Sequence, residues 1–171
     1  MRNKNQRVGI FIDVQNLYHS AKHLYGGKVN YRELIKTLVD GRQLIRALGY
    51  VVKSETSDKS APTGEASFFE ALEKAGVELR MKDIQVFPGG VKKANWDVGM
   101  AVDALRMSSF LDVIILVTGD GDFEPLVEYI QWGMGRIVEV AAFSYNTSSK
   151  LKEAADLFIN LEKNPRIMIK K

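Results

Sequence analysis

The stretch Asp112 to Phe123, DVIILVTGDGDF, constrains this chain more than any other. Val113 to Val117 is an unbroken apolar run dominated by β-branched residues, which fits a short strand buried on both faces. The run stops at Thr118-Gly119-Asp120-Gly121-Asp122-Phe123, after which Leu126, Val127 and Ile130 resume at helical spacing. A strand of this kind that leads into a helix implies a parallel sheet covered on both sides. It also places the two aspartates at the carboxyl edge, where open α/β sheets hold their sites. Two carboxylates separated by one residue, among glycines that remove steric cover, make a poor structural turn and a good holder for a hard cation.

Other segments bring oxygen ligands to the same edge. Val8 to Val14 (VGIFIDV) reads as a second buried strand, and it too meets a carboxylate, Asp13, with Asn16 at the mouth of the next helix. Asn16 is either the cap of that helix or a ligand for metal or water. Further on, Lys92-Lys93-Ala94-Asn95-Trp96-Asp97 leads a helix through Val98, Ala101, Val102 and Leu105. Asn95 is a credible N-cap, and Asp97 is explained equally well by the helix dipole or by a ligand role. Lys92, Lys93 and an exposed-looking Trp96 suit a phosphate backbone and a stacked base. Asp103, three residues before Arg106, reads as an ion-pair partner. His19 and His23 have zinc spacing without a third ligand and read as solvated.

Between these points strands and helices alternate. Asn30 opens a helix that stops at Gly41, Leu44 to Lys53 is read as a strand, and Glu55 to Gly64 is a polar loop. Glu65 to Ala75 is a helix, Val77 to Phe87 a strand bulged near Lys82-Asp83, and Pro88-Gly89-Gly90 a turn. Glu124 to Gln131 is a helix ending at Gly133, Arg136 to Ala142 a strand, Lys150 to Ala155 the last helix and Leu157 to Leu161 an edge strand. The alternation implies a right-handed, doubly wound sheet with helices on both faces.

A length of 171 residues with 46% hydrophobic content accommodates one domain with a sizeable core. Its expected span is 7–161, between a basic N-terminal tail (1–6) and a basic, fraying C-terminal tail (162–171). Without cysteine there is neither a disulfide framework nor a cysteine zinc site. The apolar run near the N-terminus contains Asp13 and is too short to span a membrane, so the expectation is a cytoplasmic protein with no membrane partner. A net charge of +3 leans only weakly toward an anionic partner.

Massed carboxylates repel one another and persist together if a divalent cation neutralises them. Oxygen-only ligands favour Mg²⁺ or Mn²⁺, which can polarise a phosphodiester and acidify a bound water. A Walker loop, a dinucleotide fingerprint after the first strand and a serine nucleophile elbow are all missing.

The segments FIDVQN (Phe11 to Asn16), NWDVGMAVDAL (Asn95 to Leu105), TGDGDFEPLVEYI (Thr118 to Ile130) and TSSKLKEAADLFINL (Thr147 to Leu161) together resemble the NYN domain family, in its LabA-like branch, over Arg7 to Leu161. The resemblance implies the PIN-like nuclease fold, a three-layer α/β/α sandwich on a mainly parallel sheet of five or six strands. It also implies a metal-dependent ribonuclease. The family's acids fall on Asp13, Asp97, Asp120 and Asp122 and its asparagine on Asn16, while Asp103 matches a recurring family acid. Val14-Gln15 departs from the smaller residues many relatives carry there.

The expectation is therefore an endoribonuclease in which Asp13, Asp97, Asp120 and Asp122 hold Mg²⁺ or Mn²⁺. Asp122 is a ligand or the acid that orients water, and Asn16 positions water or a phosphate oxygen. Lys92, Lys93 and Trp96 engage RNA, and Thr118 and Ser148 touch a phosphate. The rival expectation is an RNA-binding or regulatory adaptor on the same fold, and homo-oligomerisation is left open.

Overall fold

The computed structural model describes residues 2–53, 64–90 and 92–169. The expected loop from Glu55 lies outside the described residues as far as position 63. In chain order the elements are β1 (Arg7–Asp13), α1 (Val14–Tyr25), β2 (Lys28–Val29), α2 (Tyr31–Val39), β3 (Gln43–Lys53), α3 (Gly64–Lys74), β4 (Glu78–Asp83), β5 (Gln85–Val86) and β6 (Lys92–Lys93). They continue with α4 (Asp97–Met107), β7 (Val113–Val117), α5 (Glu124–Glu128), β8 (Ile137–Ala142), α6 (Ser149–Ala154), β9 (Leu157–Asn160) and β10 (Met168–Ile169).

Six strands form one sheet in the order β4-β3-β1-β7-β8-β9, and every neighbouring pair is parallel. Counted along the chain within that sheet, the order is that of a doubly wound nucleotide-binding sheet, whose direction of winding reverses beside its first strand. Here the reversal falls between β1 and β7. The two loops leaving those strands diverge to opposite faces and open a crevice at the carboxyl edge.

Side-chain alternation along the strands divides the core in two. On one face Val8, Ile10 and Ile12 of β1 and Val113, Ile115 and Val117 of β7 pack with Leu17 and Ala21 of α1, Leu34 and Leu38 of α2 and Leu72 of α3. On the other, Phe11, Ile114 and Leu116 pack with Met100 and Ala104 of α4, Leu126 and Val127 of α5 and Leu151 of α6. All five residues of β7 are fully buried. Each such aliphatic side chain contributes about 1.5–3 kcal/mol relative to exposure.

Local signals set the helix ends. Asn30 caps α2 by accepting from the Glu33 N–H at 3.2 Å. Gly26, at φ 59°, ends α1 in the left-handed conformation that glycine adopts without strain. The helix after β7 reaches Gly133 as its periodicity implies, α-helical over Glu124–Glu128 and a π-helix over Tyr129–Gly133.

Three expectations are corrected. The strand leading to Phe87 does not bulge. It breaks at Ile84, and β5 leaves the main sheet to pair antiparallel with β6, so Lys92 and Lys93 lie on a hairpin strand rather than on the lead-in to a helix. The C-terminal segment does not fray over its described residues, which reach position 169. β10 pairs antiparallel with β2, Ile167 is fully buried, and the Ile167 carbonyl accepts from the Asn30 N–H at 2.7 Å. Asp103 does not pair with Arg106. It is buried, accepts from the Tyr50 hydroxyl at 2.9 Å and lies 3.5 Å from the Arg80 guanidinium.

One buried polar cluster has no periodicity signal. Glu139 on β8 is 2% exposed, and both of its carboxylate oxygens accept from Arg42 and from Arg2. Arg42 also donates to the carbonyls of Leu38 and Val39, tying the end of α2 to the sheet.

Candidate metal centre at the carboxyl edge

β1 ends at Asp13, which turns the chain into α1 by capping it. Its Oδ1 accepts from the Asn16 N–H at 3.2 Å, and its Oδ2 accepts from the Thr118 hydroxyl at 3.1 Å. Asp13 therefore takes the capping role that the sequence offered to Asn16. Freed from capping, Asn16 reaches across the crevice and its Oδ1 accepts from the Gly119 N–H at 3.0 Å. These bonds pin the loop leaving β7 to the loop leaving β1, at the place where the winding reverses.

The Thr118 hydroxyl links the two acidic loops: it donates to Asp13 and accepts from the Asp120 N–H at 3.2 Å. Thr118, expected to touch a phosphate, is 1% exposed and its hydroxyl is engaged within the protein between the two loops. Asp120 caps the short 3₁₀ turn Gly121–Phe123 through a bond from the Asp122 N–H at 3.0 Å.

The two glycines of this loop have a physical cause that the sequence does not disclose. A Cβ on Gly119 would lie 2.8 Å from the Asn146 carbonyl oxygen, and one on Gly121 would lie 2.7 Å from Ser148 Oγ. The segment after β8 packs directly onto the acidic loop, with the Ser148 N–H donating to the Gly119 carbonyl at 3.0 Å. The glycines admit that segment as well as uncovering the acids. Ser148, half-buried, stands beside Gly121.

Asp97 arrives from a different element, the first turn of α4. Asn95 grips it twice: its Oδ1 accepts from the Asp97 N–H at 2.6 Å and its Nδ2 donates to Asp97 Oδ2 at 3.1 Å. Asn95 is thus the residue that aims Asp97. One carboxylate oxygen from each of Asp97, Asp120 and Asp122 lies within 4.8 Å of the other two. Three carboxylates converging that closely, half-buried or exposed and with no ion-pair partner among the described residues, form an oxygen donor set suited to a hard divalent ion.

Asp13 stands beside this trio rather than in it, with both oxygens engaged, yet it feels the same field. Burial is the main force pushing its carboxyl above the usual range, the bonds from Asn16 and Thr118 pull it back, and Asp97 and Asp120 push it further up. Asp97 is likewise raised, first by burial and then by Asp120 and Asp122, against the bond from Asn95.

Trp96 is not the exposed ring that the sequence suggested. It is half-buried, its Nε1 donates to the Val51 carbonyl at 2.9 Å, and its ring packs edge-on against Tyr50 at 5.4 Å between centroids. Its neighbours Arg80 and Lys82, on β4, were missed in the sequence. Their only signal there is alternation, which puts both on one face of a strand. His19 and His23 are exposed on α1, and among the described residues they join no group of metal-ligating side chains.

A model of the family described as NYN domain matches residues 7–162. The low amplitude and bright protein LabA of Synechococcus elongatus is 25% identical over 163 residues, covering 91% of this chain and 83% of that one. A crystal structure of a Vibrio parahaemolyticus protein of unknown function superposes with a TM-score of 0.85 at 27% identity, covering 99% of each chain. Among the described residues no helix is long and apolar enough to cross a membrane.

Proposed function

The chain belongs to the NYN domain family, and from that membership we propose that it is a divalent-metal-dependent ribonuclease, with RNA as its partner and the carboxyl-edge acids as its catalytic centre. The observation that carries this reading is the approach of Asp97, Asp120 and Asp122 to within 4.8 Å at the winding reversal of the sheet. Their donor chemistry fits Mg²⁺ or Mn²⁺: oxygen only and compact. Bound there, such an ion would neutralise the acids and polarise a phosphodiester oxygen.

The protein's own groups do the rest. Asp97, Asp120 and Asp122 hold the ion. Asp122, the exposed member, is available to take a proton from attacking water. Asp13 adds negative charge from behind and, through Thr118, keeps Asp120 in place. Asn16 is held by its carbonyl oxygen on the Gly119 N–H, which leaves its amide N–H groups to orient water or a phosphate oxygen. Ser148, beside Gly121, is available to a phosphate, and the β5–β6 hairpin supplies Lys92 and Lys93 to the RNA.

One observation favours the adaptor reading. Asp13 has both oxygens satisfied inside the protein and so resembles a structural cap as much as a ligand. Cleavage separates the two readings. The wild type with Mn²⁺ is expected to cut labelled RNA and to stop when EDTA is added. The double variant Asp13→Asn, Asp120→Asn is expected to be inert while keeping the wild-type circular dichroism spectrum. Cleavage that persists in that variant would remove the acids from the mechanism, and binding without cleavage by the wild type would leave the adaptor.

A further inference from the structure

We infer that Lys82, steadied by the Trp96 ring and flanked by Arg80, is the cation that takes an RNA phosphate next to the acid cluster. This inference rests on the nucleic-acid reading of the site. It begins with register. Asp13 pairs with Tyr50, and Tyr50 pairs with Arg80, so these residues form one row across β1, β3 and β4. Strands lie about 4.8 Å apart, which sets Arg80 roughly 10 Å to the side of the Asp13 backbone. Lys82, two residues on, shares Arg80's face of the strand and stands beyond that row, at the carboxyl edge.

The same face of β4 carries a ladder of charge. Glu78 is paired with Arg46 at 2.8 Å, and Arg80 with buried Asp103 at 3.5 Å. Lys82 ends the ladder, and among the described residues it has no carboxylate within ion-pair distance. Its ammonium instead donates to the Asn95 carbonyl at 3.0 Å and sits 4.6 Å from the Trp96 ring centroid, with the Arg80 guanidinium 5.7 Å from the same ring. The ring itself is wedged: a Cβ on Gly99 would meet it at 2.6 Å, and its indole N–H is fixed on the Val51 carbonyl. A clamped aromatic ring is a rigid platform for a cation.

This platform adjoins the acids directly, because Asn95, whose carbonyl holds Lys82, is also the residue that grips Asp97. An ammonium has three donors, and a backbone carbonyl takes one. A full positive charge with unused donors, held next to a carboxylate cluster but not neutralised by it, is matched to a phosphate of the strand whose neighbouring linkage lies at the acids. Trp96 accordingly supports the cation rather than stacking a base.

The test is fluorescence anisotropy with a labelled single-stranded RNA in Ca²⁺ buffer, titrated over KCl concentration, with RNA integrity checked on a gel. Each phosphate contact to a single strand contributes about 0.7 to the salt slope. Lys82→Gln is expected to weaken binding about tenfold at low salt and to make the slope shallower by about 0.7. Lys82→Arg should restore both, and Lys36→Gln, on the exposed side of α2, should change neither. The rise in Tm that Mn²⁺ confers is expected to be the same in Lys82→Gln as in the wild type. A wild-type slope in Lys82→Gln would overturn the inference even if the protein cleaves RNA. So would loss of the Mn²⁺ effect, which would make Lys82 a positioning residue for Asp97. If Lys82-dependent binding occurs without cleavage in Mn²⁺, the inference stands and the ribonuclease reading fails.

Discussion

Replacing Asp120 by asparagine should make the metal-free protein more stable, a result opposite to that of most substitutions in a well-formed loop. Asp120 has two acidic neighbours, Asp97 and Asp122, each offering an oxygen within 4.8 Å. At that separation two unit charges repel by roughly 0.9 kcal/mol in bulk water and roughly 3.5 kcal/mol at an effective dielectric constant of about 20. The site is open to solvent, and the Debye length at physiological salt is about 8 Å, so the working value lies near the lower figure for each neighbour. Asparagine keeps an Oδ1 to accept from the Asp122 N–H, so the cap on the 3₁₀ turn survives. The expected gain is about 1–2 kcal/mol, or about 2–8 °C in Tm for a domain of this size. Differential scanning fluorimetry in EDTA reads it directly. Repeating the scan in Mn²⁺ should reverse the ranking, because the ion stabilises only the form that binds it. If Asp120→Asn lowers Tm in EDTA, or gains as much from Mn²⁺ as the wild type does, the acids are not a repelling set that shares an ion, and the proposed centre is refuted.

Glu139→Gln leaves the guanidinium of Arg42 buried with its partner's charge gone, and urea titration should show a loss of about 3–5 kcal/mol. Gly119→Ala brings a Cβ to 2.8 Å from a backbone carbonyl that cannot rotate away. It should cost about 1–3 kcal/mol and weaken Mn²⁺ binding measured by calorimetry, whereas an unaltered Mn²⁺ affinity would mean that the loop tolerates the shift. Asp13 and Asp97 are held above the ordinary carboxyl value of 3.8. In the metal-free protein they therefore bind protons that the unfolded chain has released, and their contribution to stability falls as pH rises from 3.8 through their folded values. A divalent ion competes with those protons, so the Tm difference between Mn²⁺ and EDTA should widen with rising pH across that window; a difference that stays flat contradicts it.

The sheet and most of the acids were legible in the sequence for one reason. A strand buried on both faces cannot alternate polar and apolar residues, so Val113 to Val117 announces a parallel sheet, and the residues that come directly after such a strand have to lie at its carboxyl edge. Non-local packing was not legible. Nothing adjacent to Gly119 or Gly121 reveals that residues 146–148 press on them. Trp96 reads as exposed because its neighbours in sequence are polar, while the groups that bury it, Tyr50 and Val51, come from a different strand. Asp103 has an arginine at i+3, yet the fold offers it Tyr50 and Arg80 from across the sheet. The C-terminal strand is two residues long, too short to carry a periodicity, and only its partner β2 makes it a strand at all. Local patterns were read correctly where the controlling contact was itself local.

The winding reversal also decides how the molecule can come apart. The chain up to the Pro88–Gly90 turn supplies β1, β3 and β4 together with α1, α2 and α3, and the chain beyond it supplies α4, α5 and α6 with β7, β8 and β9. Helices from the first portion roof the strands of the second, and α4 from the second roofs Phe11, Leu48 and Tyr50 of the first. Severed at the hairpin, each piece would bare an oily flank that only its counterpart fits. The two fragments should behave as a split reporter, inert apart and regaining the crevice when they embrace.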